Sequence, residues 1–283
     1  MSRSNKVIIS AALSGAGTSK KACPYVPITA EEIAADVVAC AKAGAAIAHI
    51  HVRDDKGYGG MDTQKFVEAF EATKKACQEA NVDIIINLTT SGGPADHDTR
   101  LAHLKLLKPE MCSYDAGTMN WGNAMIFENH PKFLEDLGTL TQELDIKPEI
   151  ELFDASMLGN AMYYVKKGSL KAPCHFQLVL GVPGGLDGTI DSVNFILPKL
   201  PEGSTWSITG IGKTHMPMLL AGLAAGADGL RVGLEDNIML SKGVLATNAQ
   251  LVERAVEIAK LAGREIASAA EAREILGITR KSW

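Results

Sequence analysis

The chain has 283 residues, of which 46% are hydrophobic and 22% are charged, and its formal net charge at pH 7 is -5. This length and apolar content suffice for a large hydrophobic core, and the composition excludes disordered, collagen-like and disulfide-stapled proteins. A net acidic charge and 5% aromatic residues also argue against a nucleic-acid partner, because phosphate contacts need clustered lysine and arginine side chains.

Cysteine usage and hydropathy predict the compartment. The five cysteines are odd in number, widely spaced and free of any C-x-x-C pair, a pattern that favours reduced thiols over a disulfide framework. No segment reaches the roughly 18 consecutive apolar residues that a membrane span needs. We therefore expect a cytoplasmic protein without a membrane partner.

Apolar runs typical of strands alternate with amphipathic helical segments along the chain. Thr29 to Glu32 and Ser268 to Glu271 have the sequence of capping boxes, which predicts helices that begin at these two places. Eight runs are predicted to be strands, at residues 7–12, 46–52, 83–88, 111–114, 148–153, 175–180, 205–209 and 229–233.

Buried apolar strands separated by helices indicate a parallel sheet that is covered by those helices. Eight such units in a chain of this length predict a (β/α)8 TIM barrel, for which roughly 250 residues is typical. We expect one domain over residues 1–283, with C-terminal helices within 247–277. A doubly wound open sheet is the alternative. In a barrel, the active site lies at the C-terminal ends of the strands.

The second predicted strand carries the most informative motif, which contains His49, His51 and Arg53. Side chains two residues apart on a strand point to the same face, so the two imidazoles lie about 6.5 Å apart, with Arg53 next in the same alternation. Such a pair can bind one metal ion, and Zn²⁺ prefers imidazole. Two ordinary core histidines are the alternative, although burying them beside a guanidinium without partners is costly.

The end of the eighth predicted strand offers a third metal ligand, which a catalytic zinc needs. Arg231 lies on this strand between two glycines, and Glu235 and Asp236 follow in the loop. In a closed barrel strand eight neighbours strand one, which neighbours strand two, so this loop comes within reach of the histidine pair. Considered alone, the acidic pair is equally typical of a helix N-cap.

Hydroxyl and glycine residues at 87–94, after the third strand, predict a cradle for a carboxylate or phosphate, although a simple turn has the same composition. Ser113 and Asp115 follow the fourth strand and face the same edge. Two nucleotide-binding motifs are incomplete, because Lys20 stands at the third glycine of G-x-G-x-x-G and Ser207 at the first glycine of a Walker A loop. The sequence therefore supports neither NAD nor ATP.

Taken together, five segments resemble the β-keto acid cleavage enzymes. The resemblance implies a zinc-dependent TIM barrel, usually a tetramer, that condenses a β-keto acid with acetyl-CoA and releases acetoacetate and a new acyl-CoA. The segments that carry it are HIHVRD at 49–54, TSGG at 90–93, GVPGG at 181–185, GIGKTH at 210–215 and RVGLEDN at 231–237.

Residue roles follow from this resemblance by position. It implies that His49, His51 and Glu235 hold one Zn²⁺ per chain. It implies that Arg231 and Asp236 form the pair that deprotonates the keto acid. The substrate-binding set that it implies consists of Gly17, Thr90, Ser91, Gly93 and Ser113.

One position departs from the family pattern. The family member that cleaves 3-keto-5-aminohexanoate has a glutamate that binds the substrate ammonium, and this chain has Gly17 there. We therefore expect a β-keto acid without an amino group, whose tail is neutral or is anionic and contacts Lys20 or Lys21.

Two other functions are compatible with parts of the sequence. Amidohydrolase-like metal-dependent hydrolases also combine H-x-H with an acidic residue on strand eight of a barrel, but they carry H-x-H on strand one. A non-catalytic binding protein is the alternative of another class, and it predicts no stoichiometric zinc.

Overall fold

Eight parallel strands close into a barrel in the order in which they occur along the chain, in a computed structural model that describes residues 5–92 and 95–281. Each strand pairs in parallel with the next, and the eighth pairs with the first. The strands are β1 (Lys6–Ala12), β2 (Ile47–Ile50), β3 (Ile85–Leu88), β4 (Met111–Asp115), β5 (Lys147–Leu152), β6 (His175–Leu180), β7 (Thr205–Gly210) and β8 (Gly229–Val232).

The predicted TIM barrel is confirmed, and the alternative of an open doubly wound sheet is wrong, because β1 pairs with both β2 and β8. Ser10 of β1 lies opposite Ile47 of β2 and opposite Arg231 of β8. This closure places the C-terminal ends of β2 and β8 on either side of β1. The acidic loop after β8 therefore comes within reach of the histidine pair.

Helices cover the outside of the barrel, and the apolar faces of strands and helices form the main core between them. Thr29 and Ser268 cap the first and last helices with the capping boxes that the sequence predicts. No helix in the described part of the chain is long and apolar enough to cross a membrane. The helices are α1 (Ala30–Ala43), α2 (Thr63–Ala80), α3 (His97–Leu107), α4 (Pro131–Glu143), α5 (Ala155–Lys167), α6 (Ile190–Ile196), α7 (His215–Ala224), α8 (Asn248–Leu261) and α9 (Ala269–Leu276).

The second strand is shorter than predicted. It ends at Ile50, and Val52–Arg53 pairs instead with Gly59–Gly60, antiparallel, in the loop that follows. Such short pairings lack the apolar run by which a strand is recognised in sequence. Hairpins also extend the loops after β4 and β8, formed by Met119–Trp121 with Met125–Phe127 and by Met239–Ser241 with Val244–Leu245.

The N-terminal end of the barrel is closed by α9. Arg273 of this helix donates to the Glu110 carboxylate at 2.7 and 2.9 Å and to Asp83 at 2.7 and 3.0 Å. These acidic residues precede β4 and β3, so the guanidinium ties the helix to two strands. A separate apolar cluster joins the same helix to the first residues of β1 to β4, and its buried members are Ile8, Ala46, Ile47, Ile85, Met111, Ala267, Ala272 and Leu276.

We expect Arg273→Met to lower the free energy of unfolding by about 3–5 kcal/mol, because it leaves the fully buried Glu110 without its counter-charge. Urea denaturation measures the change. Lys75→Met is the matched control, because Lys75 forms only an exposed pair with Glu79 and its loss is expected to cost less than about 0.5 kcal/mol. Equal losses in the two variants would contradict this account of how the barrel end is closed.

Candidate active site

Two buried imidazoles face each other at the C-terminal end of β2. His49 is on the strand and His51 directly follows it, and their ring centroids lie 5.1 Å apart in an edge-to-face arrangement. Both side chains are buried, with 1% and 6% of their residue surface exposed. The alternation in the sequence therefore correctly predicts that the two rings share one face.

Glu235, in the loop after β8, reaches the same place from the other side of β1. Its Oε1 atom lies 3.7 Å from Nε2 of His49 and 3.5 Å from Nε2 of His51. These distances are too long for good hydrogen bonds, so the three groups converge without bonding one another. The second carboxylate oxygen, Oε2, is buried and has no hydrogen-bond partner among residues 5–92 and 95–281.

Close backbone approach lets Glu235 occupy this position. Gly15, in the loop after β1, has φ of +55°, and a Cβ atom there would lie 2.6 Å from Cγ of Glu235. Gly233 has φ of +144°, and a Cβ atom there would lie 1.9 Å from the carbonyl oxygen of Ala12. Larger residues at either position would force the loops after β1 and β8 apart.

Arg231 lies at the centre of a buried network of carboxylates. It donates to both oxygens of Asp236, from Nε at 2.9 Å and from Nη2 at 3.0 Å, and to Glu235 at 2.6 Å. Its Nη1 atom donates to Glu151 at 3.3 Å. Thr209 donates a further hydrogen bond to Asp236 at 3.2 Å. The guanidinium is therefore the cation that permits these acidic groups to be buried together.

Two buried glutamates at this site were not predicted from the sequence. Glu149 and Glu151 alternate along β5, point into the barrel and are 0% and 4% exposed. Asn87 donates to Glu149 at 2.7 Å, and Arg231 to Glu151. A glutamate at every second position of a predicted buried strand is the signal that could have revealed them, because neither belongs on a covered apolar face.

Burial and charge act differently on the acids of this site. Burial raises the pKa of Glu149, Glu151 and Asp236 above the ordinary values, although Arg231 opposes the shift. For Glu235, burial is outweighed by His51 and the Arg231 guanidinium, which hold its pKa well below the usual range. Glu235 is therefore the acid most firmly held as a carboxylate.

The donor set of His49, His51 and Glu235 fits a metal ion. Their ligand atoms all lie within 4.8 Å of one another. Burial lowers the pKa of His49 to about 3, which keeps its imidazole neutral as a metal ligand must be. The unpartnered Glu235 oxygen is available for coordination. Two imidazoles and one carboxylate are a typical ligand set for catalytic zinc.

A second potential donor set lies deeper in the barrel and consists of His49, Glu149 and Glu151. Here too one carboxylate oxygen, Oε1 of Glu149, is buried without a partner among the described residues. This set differs in that both glutamates have raised pKa values and accept hydrogen bonds from Asn87 and Arg231.

Arg53 does not continue the alternation of the histidines into the site. Its guanidinium donates to the carbonyl oxygens of Ser14, Gly15, Thr18 and Gly57, at 2.6 to 3.0 Å. Because β2 ends before it, the side chain is free to turn towards the loop after β1. Arg53 therefore positions that loop, which carries Gly17.

The predicted substrate-binding residues have different placements. Gly17 and Ser91 line the cavity above the histidines, and Ser91 donates to Asp115 at 2.6 Å. Thr90 and Ser113 are buried in the barrel wall, where the Ser113 hydroxyl accepts from the Thr90 amide at 2.9 Å. Gly93 lies outside the described residues.

The cavity has a volume of about 1230 Å³ and opens at the C-terminal ends of the strands. His51, Glu235, Asp236 and Arg231 line it. Lys20 and Lys21, considered as contacts for a substrate tail, are not part of the described cavity wall, and Lys20 pairs with Glu32 at the start of α1.

Comparison with known proteins identifies relatives along the whole chain. Residues 6–278 match the family model of the beta-keto acid cleavage enzyme. The chain is 40% identical to the 3-keto-5-aminohexanoate cleavage enzyme of Fusobacterium nucleatum, over 97% of this chain and 99% of that protein. It is 31% identical to the 3-oxoadipate:acetyl-CoA acetyltransferase of Cupriavidus necator, over 96% of this chain and 94% of that protein.

Among solved structures, the apo structure of ObcA has a similar fold, with a TM-score of 0.79 and 22% sequence identity. The match covers 90% of this chain and 66% of ObcA. At this identity the likeness supports the barrel architecture and nothing more specific.

We expect Arg231→Met to lower the free energy of unfolding by about 3–5 kcal/mol, because several buried carboxylates lose their counter-charge. Adding Glu151→Gln should recover part of this loss, since it removes one of those negative charges. Urea denaturation of the two single variants and the double variant, with equal metal content, measures the coupling. Strictly additive effects would show that the two side chains do not depend on each other.

Proposed function

Because the chain belongs to the beta-keto acid cleavage enzyme family, we propose that it is a zinc-dependent acyltransferase that condenses a β-keto acid with acetyl-CoA and releases acetoacetate and an acyl-CoA. The observation that carries the proposal is the convergence of His49, His51 and Glu235 beside the paired Arg231 and Asp236. Relatives named as acetyl-CoA-dependent transferases support the use of acetyl-CoA.

In this proposal His49, His51 and Glu235 hold one Zn²⁺ per chain, and no other protein ligand is needed. A bound metal ion supplies Lewis acidity, which polarises the oxygens of a β-keto acid and stabilises the negative charge of its enolate.

The paired side chains of Arg231 and Asp236 handle the proton. The Asp236 carboxylate accepts the proton from the α-carbon of the keto acid and later returns one to the α-carbon of acetoacetate. Two hydrogen bonds from Arg231 and one from Thr209 hold the carboxylate in a single orientation. Burial raises the pKa of Asp236 and the same arginine opposes that rise, so the main contribution of Arg231 is the fixed orientation of the carboxylate.

Atoms and electrons balance without a redox partner. The α-carbon with its carboxylate leaves the acyl group of the keto acid and bonds to the acetyl carbonyl carbon. The CoA thiolate leaves the acetyl group and bonds to the acyl carbonyl carbon. One carbon–carbon bond and one thioester bond break, and one of each forms.

We further propose that the substrate lacks an amino group. Gly17 lines the cavity and brings no carboxylate to it, and a Cβ atom there would meet no atom of the described residues within 4 Å. Ser91, and by family position Thr90, Gly93 and Ser113, complete the proposed substrate-binding set.

We also propose that the protein is a cytoplasmic homo-oligomer. The resemblance to the family implies a tetramer. The five cysteines are all free and buried, which fits a reducing cytoplasm.

We expect His49→Ala and Glu235→Ala to lose both bound zinc and activity, because each removes a metal ligand. Asp236→Asn should keep stoichiometric zinc while kcat falls by about 10²–10⁴, the usual contribution of a general base. Elemental analysis and an assay of acetoacetate release measure the two properties separately. A zinc-loaded Asp236→Asn enzyme with full activity would rule out the role of Asp236 as base.

Gly17 offers a direct test of substrate choice. We expect Gly17→Glu to raise kcat/KM for 3-keto-5-aminohexanoate at least tenfold relative to unsubstituted β-keto acids, because a carboxylate would then meet the ammonium. Gly17→Gln is the matched control, with nearly the same volume and no charge. The proposal fails if the unmodified enzyme converts 3-keto-5-aminohexanoate as fast as simple β-keto acids.

A further inference from the structure

Positive charge is concentrated in one sector of the cavity mouth. Lys213 and Lys242 and the Arg254 guanidinium line the cavity beside the loops that follow β7 and β8. The acidic residues of the described wall are Glu151, Glu235 and Asp236, which bond to Arg231, and Asp115, which accepts from Ser91. Neither lysine has an ion-pair partner among residues 5–92 and 95–281. The cavity therefore has an acidic floor that holds Arg231 and a basic sector at its rim.

The buried pair of Arg254 and His215 adds hydrogen-bond donors that have no acceptor among the described residues. Arg254 donates from Nη2 to Nδ1 of His215 at 3.3 Å, and an arginine can only donate. His215 is 2% exposed, and burial followed by the charge of Arg254 lowers its pKa to about 3. The neutral ring therefore carries its proton on Nε2. That atom and Nε of Arg254 are both buried and have no partner in the described structure.

The start of α7 lies in the same sector. Lys213, His215 and Met216 line the cavity at this point, where a 3-10 turn over Gly212–Thr214 leads directly into the helix. Two ammonium groups without a described ion-pair partner and two unpartnered buried donors therefore belong to the same part of the cavity wall.

We propose that this sector, formed by Lys213, Lys242, His215 and Arg254, binds the phosphate groups of the nucleotide end of the CoA thioester. The inference rests on the proposed function, because it assigns a place to that cosubstrate. The uncharged pantetheine arm would then extend from the rim towards Arg231 and His51, which line the same cavity. This division keeps the phosphates away from the acidic floor.

The double variant Lys213→Gln/Lys242→Gln tests the assignment. We expect calorimetry to show CoA binding at least tenfold weaker than in the unmodified protein, and less dependent on salt concentration, because two charge contacts are lost. Pantetheine, which lacks the phosphates, should bind both proteins with the same dissociation constant. Lys166→Gln/Lys260→Gln is the matched control, since it removes the same charge from positions outside the cavity wall.

Unchanged CoA affinity in the Lys213/Lys242 variant would overturn the inference, as would failure of the unmodified protein to bind CoA. An equal loss of pantetheine binding would also overturn it, because the effect would then not concern phosphates. So would a raised KM for the keto acid alone, which would assign the sector to the substrate tail.

Turnover of β-keto acids with acetyl-CoA is measured in parallel and reports on the proposed function. If the unmodified protein turns over β-keto acids and the double variant binds CoA with unchanged affinity, the proposed function is supported and the inference is wrong. Loss of CoA binding in the variant, without turnover by the unmodified protein, supports the inference and contradicts the function.

Discussion

The buried guanidinium of Arg231 is the interaction on which the rest of the site depends. It is 2% exposed and bonds to Asp236, Glu235 and Glu151, three carboxylates that come from two different strands and their loops. Removing such groups from water costs several kcal/mol for each ion, and only close pairing offsets that cost. The barrel therefore tolerates a charged interior at this end because one cation serves several anions at once.

This arrangement also explains why the floor of the cavity suits a metal ion. The carboxylates outnumber Arg231, so negative charge remains after the guanidinium is paired. His49 is neutral and close to Glu235, whose second oxygen is unpartnered. A divalent cation at this point would satisfy the remaining charge and would leave Asp236 tied to the arginine. Arg231 binds Asp236 with two hydrogen bonds and Glu235 with one. In the proposed function, Asp236 is therefore the carboxylate that moves a proton, and Glu235 is the carboxylate that holds the metal.

Much of the fold could be predicted because its signals are local. The eight strands and the capping boxes at Thr29 and Ser268 depend on residue spacing within a few positions, and the structure confirms them. The end of β2 was predicted too late, because pairing of Val52–Arg53 with a glycine-containing loop depends on the backbone that it meets. The alternation of Glu149 and Glu151 on β5 is visible in the sequence. Their contact with Arg231 is not, because Arg231 lies 80 residues away from Glu151 along the chain.

The barrel, the histidine pair and the acidic motif after β8 could be read from local patterns, because periodicity and motif spacing are properties of neighbouring residues. Which of these groups meet depends on how the chain folds. Closure of β8 on β1 brings Glu235 to the histidines, and the early end of β2 lets Arg53 turn to the loop carbonyls. The loops after β7 and β8 place Lys213 and Lys242, rather than Lys20, on the cavity wall. Contacts between distant segments depend on the register and ends of the strands, and no local pattern encodes those distances.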